Sequence, residues 1–434
     1  MDFSIASLGP CRIDSPFAPL VEARRTTEAY VDEGDRVLFD DTISMVAARG
    51  LPIEQLPSFE PGGPRSRIFF EPAKTRVAIV TCGGLCPGLN DVIRGLVLEL
   101  TEHYGVRRIV GIRNGYQGFI ARYGRDVVDL TPDAVAGINE HGGTILGTSR
   151  GEQDAGEIVD CLERLGISAL FVVGGDGTMR GAINVSAEIA DRGLKIAVVG
   201  VPKTIDNDIP YINQSFGFQT AFGRAAESIR TAHVEARTVP NGVGLVRLMG
   251  RHSGFIACYA ALAKNDADFV LIPEVPFTLE GDRGLLAHLR KRVVERGHAV
   301  VVVAEGAGQE LLETNGTDAS GNRRLGDIGV HLRHRISQDF DEAGLELNLK
   351  YIDPSYTIRS VPANPYDSVY CLRLAHTAVH AAMAGRTEMV VGRWHGRFVH
   401  VPMRLAISKR NQVDPEGDLW TSVLEATGQP PNLR

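Results

Sequence analysis

Residues 169–178 read ALFVVGGDGT, and this stretch decides the fold. Ala169 to Val173 is a short continuous apolar run, the signature of a strand buried on both faces. The turn Gly174-Gly175-Asp176-Gly177-Thr178 then opens an amphipathic pattern carrying Ala182, Ile183 and Ile189, so the stretch reads strand, turn, helix. The unit recurs upstream, where Val77 to Val80 leads into Gly83-Gly84 and then Leu89, Val92, Ile93, Leu96, Val97 and Leu100. It recurs downstream, where Ile196 to Val201 leads into Pro202-Lys203-Thr204-Ile205-Asp206-Asn207-Asp208. Alternating buried strands and helices predict parallel βαβ units with right-handed crossovers. Ligands of such folds bind beyond the C-terminal strand ends, where all three clusters fall.

After about residue 218 the rhythm restarts with a helical pattern of Phe218, Ala221, Phe222, Ala225 and Ile229, followed by strands near 244–248, 269–272 and 299–304. The expected architecture is α/β, with two three-layer domains, mainly parallel sheets and an active site in the interdomain cleft. Residues 1–72 lack sustained periodicity and read as an N-terminal extension. Residues 73–217, completed by part of 360–434, form a first domain, and residues 218–359 a second.

Composition narrows the function classes. The chain has 434 residues, 44% apolar and 23% charged, which suits two core-bearing domains. Its formal charge of −7 has the wrong sign for bulk nucleic-acid binding, so phosphate recognition must come from local clusters. No apolar run approaches the roughly 18 residues that span a bilayer, and the N-terminus lacks a secretory pattern, so a cytoplasmic location without membrane or nucleic-acid partners is expected. Six scattered cysteines without a C-x-x-C pair read as reduced thiols. The 48 glycines, about 11% against a usual ~7%, point to tight turns or close backbone approaches.

Glycine-rich turns that open helices bind phosphate, because no Cβ blocks approach and the helix dipole is positive there. Gly83-Gly84 fits this role and equally a plain tight turn. The loop Gly142-Gly143-Thr144-Ile145-Leu146-Gly147-Thr148-Ser149-Arg150 adds a guanidinium suited to phosphate oxygens, the alternative being a solvated arginine. In Gly174–Thr178 a carboxylate sits inside a phosphate-binding turn, which makes sense if Asp176 holds Mg²⁺; the alternative is a helix cap. Neither G-x-x-x-x-G-K-[ST] nor G-x-G-x-x-G occurs. The 202–208 loop places two carboxylates beside Lys203. Asp206 is read as the general base of phosphoryl transfer to a sugar hydroxyl and Lys203 as the cation neutralising the transferring group, against an Asx-turn with a solvated lysine.

Six ordered motifs, G-G-L-C-P-G-L-N at 83–90, G-G-T-I-L-G-T-S-R at 142–150, G-G-D-G-T at 174–178, P-K-T-I-D-N-D at 202–208, M-G-R at 249–251 and Y-T-I-R at 356–359, resemble those of the 6-phosphofructokinases. The resemblance runs from about residue 74 to about 400. It implies an ATP-dependent glycolytic kinase that phosphorylates the 1-hydroxyl of fructose 6-phosphate, with Mg²⁺ as cofactor and a homodimer or homotetramer as the working form. It implies donor contacts at Gly84, Tyr116, Arg150, Gly151, Gly175, Gly177 and Thr178, and a Mg²⁺ contact at Asp176. It implies sugar-phosphate contacts at Thr204, Ile205, Asp206, Asp208, Met249, Gly250, Arg251, Glu305, Tyr356 and Arg359. Thr204 and Arg251 join Asp206 and Lys203 as catalytic candidates, and Lys350 falls where many bacterial members carry an arginine that reaches a neighbouring subunit.

Arg251 follows an apolar strand, and Glu305 ends one, where it could accept hydrogen bonds from sugar hydroxyls. Two positions depart from the bacterial pattern: Gly242 replaces a second cross-subunit arginine and Tyr356 a histidine. The extension, Lys203 and the run 351–356 resemble the pyrophosphate-related branch, which also contains ATP users. Gly177 argues for ATP, since members restricted to pyrophosphate typically carry Asp there. The alternatives are pyrophosphate-dependent transfer to the same acceptor, a lipid or NAD kinase sharing G-G-D-G-T, and a non-catalytic sugar-phosphate sensor. The T-I-D-N-D and M-G-R motifs argue against the lipid and NAD kinases, and the presence of Asp206 against the sensor. His376 and His380 stand i, i+4 without the glutamate of H-E-x-x-H and are expected to pack or face solvent.

Overall fold

The computed structural model describes residues 2–19, 31–313, 316 and 324–434, so residues 20–30 of the N-terminal extension lie outside the described residues. The chain divides into two compact units. Unit 1 comprises Met1–Thr204, Ile209–Gly217 and Val361–Lys409; unit 2 comprises Ile205–Asp208, Phe218–Ser360 and Arg410–Arg434.

In unit 1 the N-terminal segment supplies β1 (Ala6–Ser7), β2 (Ile13–Asp14), β3 (Val37–Leu38), β4 (Ser58–Pro61) and β5 (Arg67–Ile68). The repeating pattern yields β6 (Arg76–Thr81), β7 (Arg108–Ile112), β8 (Val127–Asp129), β9 (Ala169–Gly174) and β10 (Ala197–Pro202). Unit 2 contains β11 (Gly242–Leu248), β12 (Phe269–Leu271), β13 (His298–Ala304) and β14 (Asn348–Ile352), after which the chain returns to unit 1 with β15 (Arg386–Thr387), β16 (Met389–Trp394) and β17 (Arg397–Pro402).

Among the described residues the main sheet of unit 1 runs β3-β4-β17-β16-β10-β9-β6-β7-β8. Its centre, from β16 to β7, is parallel, and both margins are antiparallel. Alternate residues Ala78, Val80, Leu170, Val172 and Val198 face one core with the helices Ala155–Leu165 and Asp176–Asp191. Their neighbours Val77, Ile79, Phe171 and Val199 are equally buried on the other face, which gives three layers and explains the unbroken apolar runs. The helices Leu89–Leu98 and Pro365–Met383 pack on each other. His380 is buried in the second, its Nδ1 2.8 Å from the Tyr104 hydroxyl.

Unit 2 holds a fully parallel sheet, β12-β13-β11-β14. Val243, Leu245, Val301 and Val303 pack against the helices Leu285–Arg296 and Ile328–Glu342. On the other side Phe218–Arg237 approaches β11 so closely that a Cβ on Gly244 would lie 2.9 Å from Ala232. No described helix is long and apolar enough to cross a membrane.

The contact pattern draws these boundaries more finely. The described part of residues 1–72 is built into unit 1: β4 extends the main sheet antiparallel to β17, β1 pairs with β15 and β2 with β5. Strands of two to four residues are too short to leave a periodic pattern. Residues 205–208 and 410–434 belong to unit 2, and only 361–409 complete unit 1.

A buried ion-pair network fastens the extension. Glu60 on β4 accepts from Arg65 at 2.6 Å and Arg386 at 2.9 Å and lies 3.0 Å from His400 Nδ1. Glu33 takes a second nitrogen of each arginine, at 2.7 and 2.8 Å. Burial alone would raise the Glu60 pKa, but His400 and the two arginines outweigh it and hold the carboxyl well below the usual range. Glu60→Ala should therefore cost roughly 3–5 kcal/mol by uncovering buried cations. Because the folded pKa is depressed, this contribution is present above the unfolded value near pH ~4 and lost as pH falls below it. Urea unfolding of wild type and variant should show a wide gap at neutral pH that narrows in acid.

Candidate functional site

In unit 1, four loops meet at the C-terminal ends of β6, β9 and β10. Thr81 donates its hydroxyl to Gly147 O at 2.8 Å, Thr148 donates to Gly83 O at 2.6 Å, and the Gly83 N–H bonds Ser149 O at 3.1 Å. The Lys203 N–H bonds Gly174 O at 2.9 Å. Its ammonium, buried with the rest of the residue, donates to Gly84 O at 2.7 Å. The three glycine clusters and Lys203 are thus one hydrogen-bonded assembly.

The helix Asp176–Asp191 begins within it. Its N-cap is Gly175, with no side-chain cap, and Asp176 is the first helical residue, which removes the capping alternative. The first-turn N–H groups and the dipole make this end an anion site. A Cβ added to Gly177 would meet nothing within 4 Å, so the space beside it is open. Thr178 is buried, and Gly151 and Arg150 are exposed beyond the loop. Tyr116 is 5% exposed, lies against Gly181 and donates its hydroxyl to Thr178 O at 2.7 Å. It braces the first turn of the helix from beneath. Among the described residues no group of three or more His, Cys, Asp or Glu could hold a metal.

In unit 2, the ends of β11, β13 and β14 carry a second assembly of charged side chains. The Asp206 carboxyl accepts the Arg251 backbone N–H, and its carbonyl accepts the Ser253 hydroxyl at 3.1 Å. Asp208 is paired with Arg410, and its carbonyl accepts the Asn411 N–H at 2.7 Å. Burial first, then the charges of Asp208 and Glu305, push the Asp206 pKa up to about 8. Glu305 is also raised by burial, against the pull of Arg247, Arg251 and Arg359. Gly250 follows Met249 at φ +127, where a Cβ would lie 2.5 Å from Ser253 O, so the M-G-R turn requires glycine.

Asp206, Asp208, Arg251, Glu305 and Arg359 are therefore brought together in unit 2, and Gly84, the 174–178 turn, Lys203 and Thr204 belong to unit 1. Ile205 is buried within the 202–208 loop. Tyr356 is 74% exposed, with the Arg359 guanidinium 4.9 Å from its ring centroid. Lys350 stands apart, exposed on β14 opposite Gly244. Gly242 begins β11, six residues or about 20 Å from its functional end. A Cβ there would lie 2.0 Å from Ala236 O, so no arginine fits without moving the backbone.

Three contributors carry no sequence signal. Arg410 holds Asp208, Arg247 bonds Glu305 at 2.9 Å, and Glu274 accepts both Gly254 N–H and Val413 N–H at 2.9 Å. None of the three lies within a motif, and Arg410 is 202 residues from its partner.

The chain is 61% identical over 437 residues to an ATP-dependent 6-phosphofructokinase of Amycolatopsis methanolica, covering 99% of this chain and 95% of the relative. It is 46% identical to that of Borreliella burgdorferi, over 100% of this chain and 98% of the relative. In fold it resembles the crystal structure of a pyrophosphate-dependent phosphofructokinase from Marinobacter aquaeolei, with TM-score 0.67, 20% identity and coverage of 81% of this chain and 91% of that one. It likewise resembles Pichia pastoris phosphofructokinase, with TM-score 0.64, 23% identity and coverage of 84% and 38%. The phosphofructokinase family model matches residues 76–382, and with these relatives it shows that the chain belongs to the phosphofructokinase family.

Proposed function

We propose that the chain transfers the terminal phosphoryl group of ATP to the 1-hydroxyl of fructose 6-phosphate, giving fructose 1,6-bisphosphate and ADP. The names of its full-length relatives support this reading. The observation that carries it is the single loop 202–208, in which Lys203 joins the glycine assembly of unit 1 and Asp206 joins the charged assembly of unit 2. A phosphoryl donor and a hydroxyl acceptor need those two chemistries.

Asp206 takes the proton of the sugar 1-hydroxyl. A carboxyl with a pKa near 8 is a better base at neutral pH than an ordinary aspartate, because catalytic efficiency peaks when the pKa lies near the operating pH. Lys203 neutralises charge on the transferring group. Arg251 and Arg359 bind the 6-phosphate, and Glu305 accepts from sugar hydroxyls. The N-terminus of the helix Asp176–Asp191 and the 83–84 and 147–151 turns cradle the donor phosphates. Mg²⁺ fits this set, since it is ordinarily bound by one or two carboxylates plus substrate phosphates, and Asp176 at the uncapped helix end is such a carboxylate. When bound, the ion neutralises phosphate charge. The exposed Lys350 on the edge strand β14 supports a working homodimer or homotetramer, and the reaction suits a cytoplasmic enzyme.

The direct test offers purified protein fructose 6-phosphate and Mg²⁺ with ATP or pyrophosphate in parallel; turnover with neither removes the reading. Asp206→Asn should lower kcat by roughly 10²–10⁴-fold, the range for a lost general base. In the wild type kcat/KM should climb with pH as the carboxylate forms and level off above about 8, and in the variant that limb should vanish.

Arg359→Ala should raise the KM for fructose 6-phosphate and leave that for ATP nearly unchanged. A selective loss of ATP affinity would show that the donor and acceptor sets are exchanged.

The donor preference rests on Gly177. An aspartate about 4 Å from a phosphate oxygen adds roughly 4 kcal/mol of repulsion per charge pair at an effective dielectric near 20. That corresponds to about three powers of ten. ATP should give a higher kcat/KM than pyrophosphate, and Gly177→Asp should cut ATP-dependent turnover by about that factor.

A further inference from the structure

We propose that Arg247 is a positioning residue of the acceptor site, fixing Glu305 and the Tyr356–Arg359 turn against one another. This rests on the reading of fructose 6-phosphate as acceptor. Arg247 is the penultimate residue of β11, the strand between β13 and β14. Register places Arg247 opposite Val303 and, one residue earlier, Val246 opposite Ile352. The residues just beyond those partners' strands are Glu305 on one side and Asp353 on the other. A guanidinium at this height reaches both: Nη2 lies 2.9 Å from Glu305 Oε2 and Nη1 lies 2.8 Å from Asp353 Oδ2. Asp327, the N-cap of the helix Ile328–Glu342, lies 3.8 Å from Nε.

The two contacts do different work. The first holds one oxygen of the Glu305 carboxylate, which sets its rotamer. The second begins a turn, for Asp353 Oδ1 accepts the Ser355 N–H at 3.0 Å, and Pro354 O accepts the Thr357 hydroxyl at 2.8 Å and the Ile358 N–H at 3.1 Å. That turn delivers Arg359. Arg247 also reaches Ser355 Oγ at 3.3 Å. Its side chain is 15% exposed, so the pairs are sheltered, and the planar fork presents separate nitrogens to two carboxylates in a fixed geometry that a compact ammonium lacks.

Steady-state kinetics of the full chain, varying fructose 6-phosphate and ATP in turn, test this with wild type, Arg247→Met, Arg247→Lys, Glu305→Gln and the Arg247→Met/Glu305→Gln double variant. Arg247→Met should raise the KM for fructose 6-phosphate by roughly 10–100-fold, as expected for loss of a remote positioning contact, and leave the KM for ATP within about twofold. Arg247→Lys should recover part of the loss, and the double variant should fall clearly short of the product of the two single effects. Should Arg247→Met not fold, Asp353→Asn keeps the Glu305 pair and should still raise the KM for fructose 6-phosphate alone. An unchanged KM in a folded variant, or effects that multiply in the double variant, would overturn the proposal. Wild type that does not turn over fructose 6-phosphate would instead remove the underlying reading.

Discussion

Three carboxylates, Asp206, Asp208 and Glu305, crowd the functional end of unit 2, and like charges in a partly desolvated space repel strongly. The surrounding residues divide that repulsion. Asp208 is given to Arg410 and Glu305 to Arg247, each a guanidinium in direct contact. Asp206 is placed where burial and the other two carboxylates act on it together, while the Arg251 N–H and Arg410 pull the other way. Its raised pKa is a consequence of that arrangement, so the proposed base is tuned by the residues around it, as when one site assigns two acids different roles.

In the proposed function the two units meet phosphate differently. Unit 1 offers backbone: glycine turns, an uncapped helix end and one lysine tied to a loop carbonyl. A polyphosphate presents many oxygens along a chain, and an array of N–H groups without Cβ atoms can follow it. Unit 2 offers side chains, with Arg251 and Arg359 near Glu305. A sugar phosphate combines one compact charge with neutral hydroxyls, which calls for guanidinium and carboxylate set side by side. A chain of net charge −7 binds anions by these local means.

The sequence made the strand–turn–helix units legible because each is local: a buried parallel strand writes a continuous apolar run, and the turn after it writes its glycines. Asp176, Lys203, Asp206 and Arg251 were readable for the same reason, being at the ends of such runs. Arg247 was hidden inside one, a single charge in the otherwise apolar Gly242–Leu248. Arg410 and Glu274 were hidden by distance along the chain. The strands of the extension left no sequence pattern because they are stabilised by pairing with β15 and β17 and by the Glu60 network, none of which is local. Tyr116 matched a pattern, yet only the packing of Gly181 against its ring reveals that it faces inward.

The chain leaves unit 1 at Thr204 and enters unit 2 at Ile205, so Lys203 belongs to the first and Asp206 to the second. Lys203 and Asp206 are three residues apart, which limits their Cα separation to about 11 Å. Within that limit their positions are fixed locally. Lys203 is anchored through its N–H to Gly174 and its ammonium to Gly84, and Asp206 through its carboxyl to Arg251 and its carbonyl to Ser253. In the proposed reaction Lys203 stabilises charge and Asp206 takes the proton, serving opposite partners of one in-line displacement. Placing both on one short, doubly anchored loop lets covalent geometry set their spacing, which side chains from distant elements could hold only through packing.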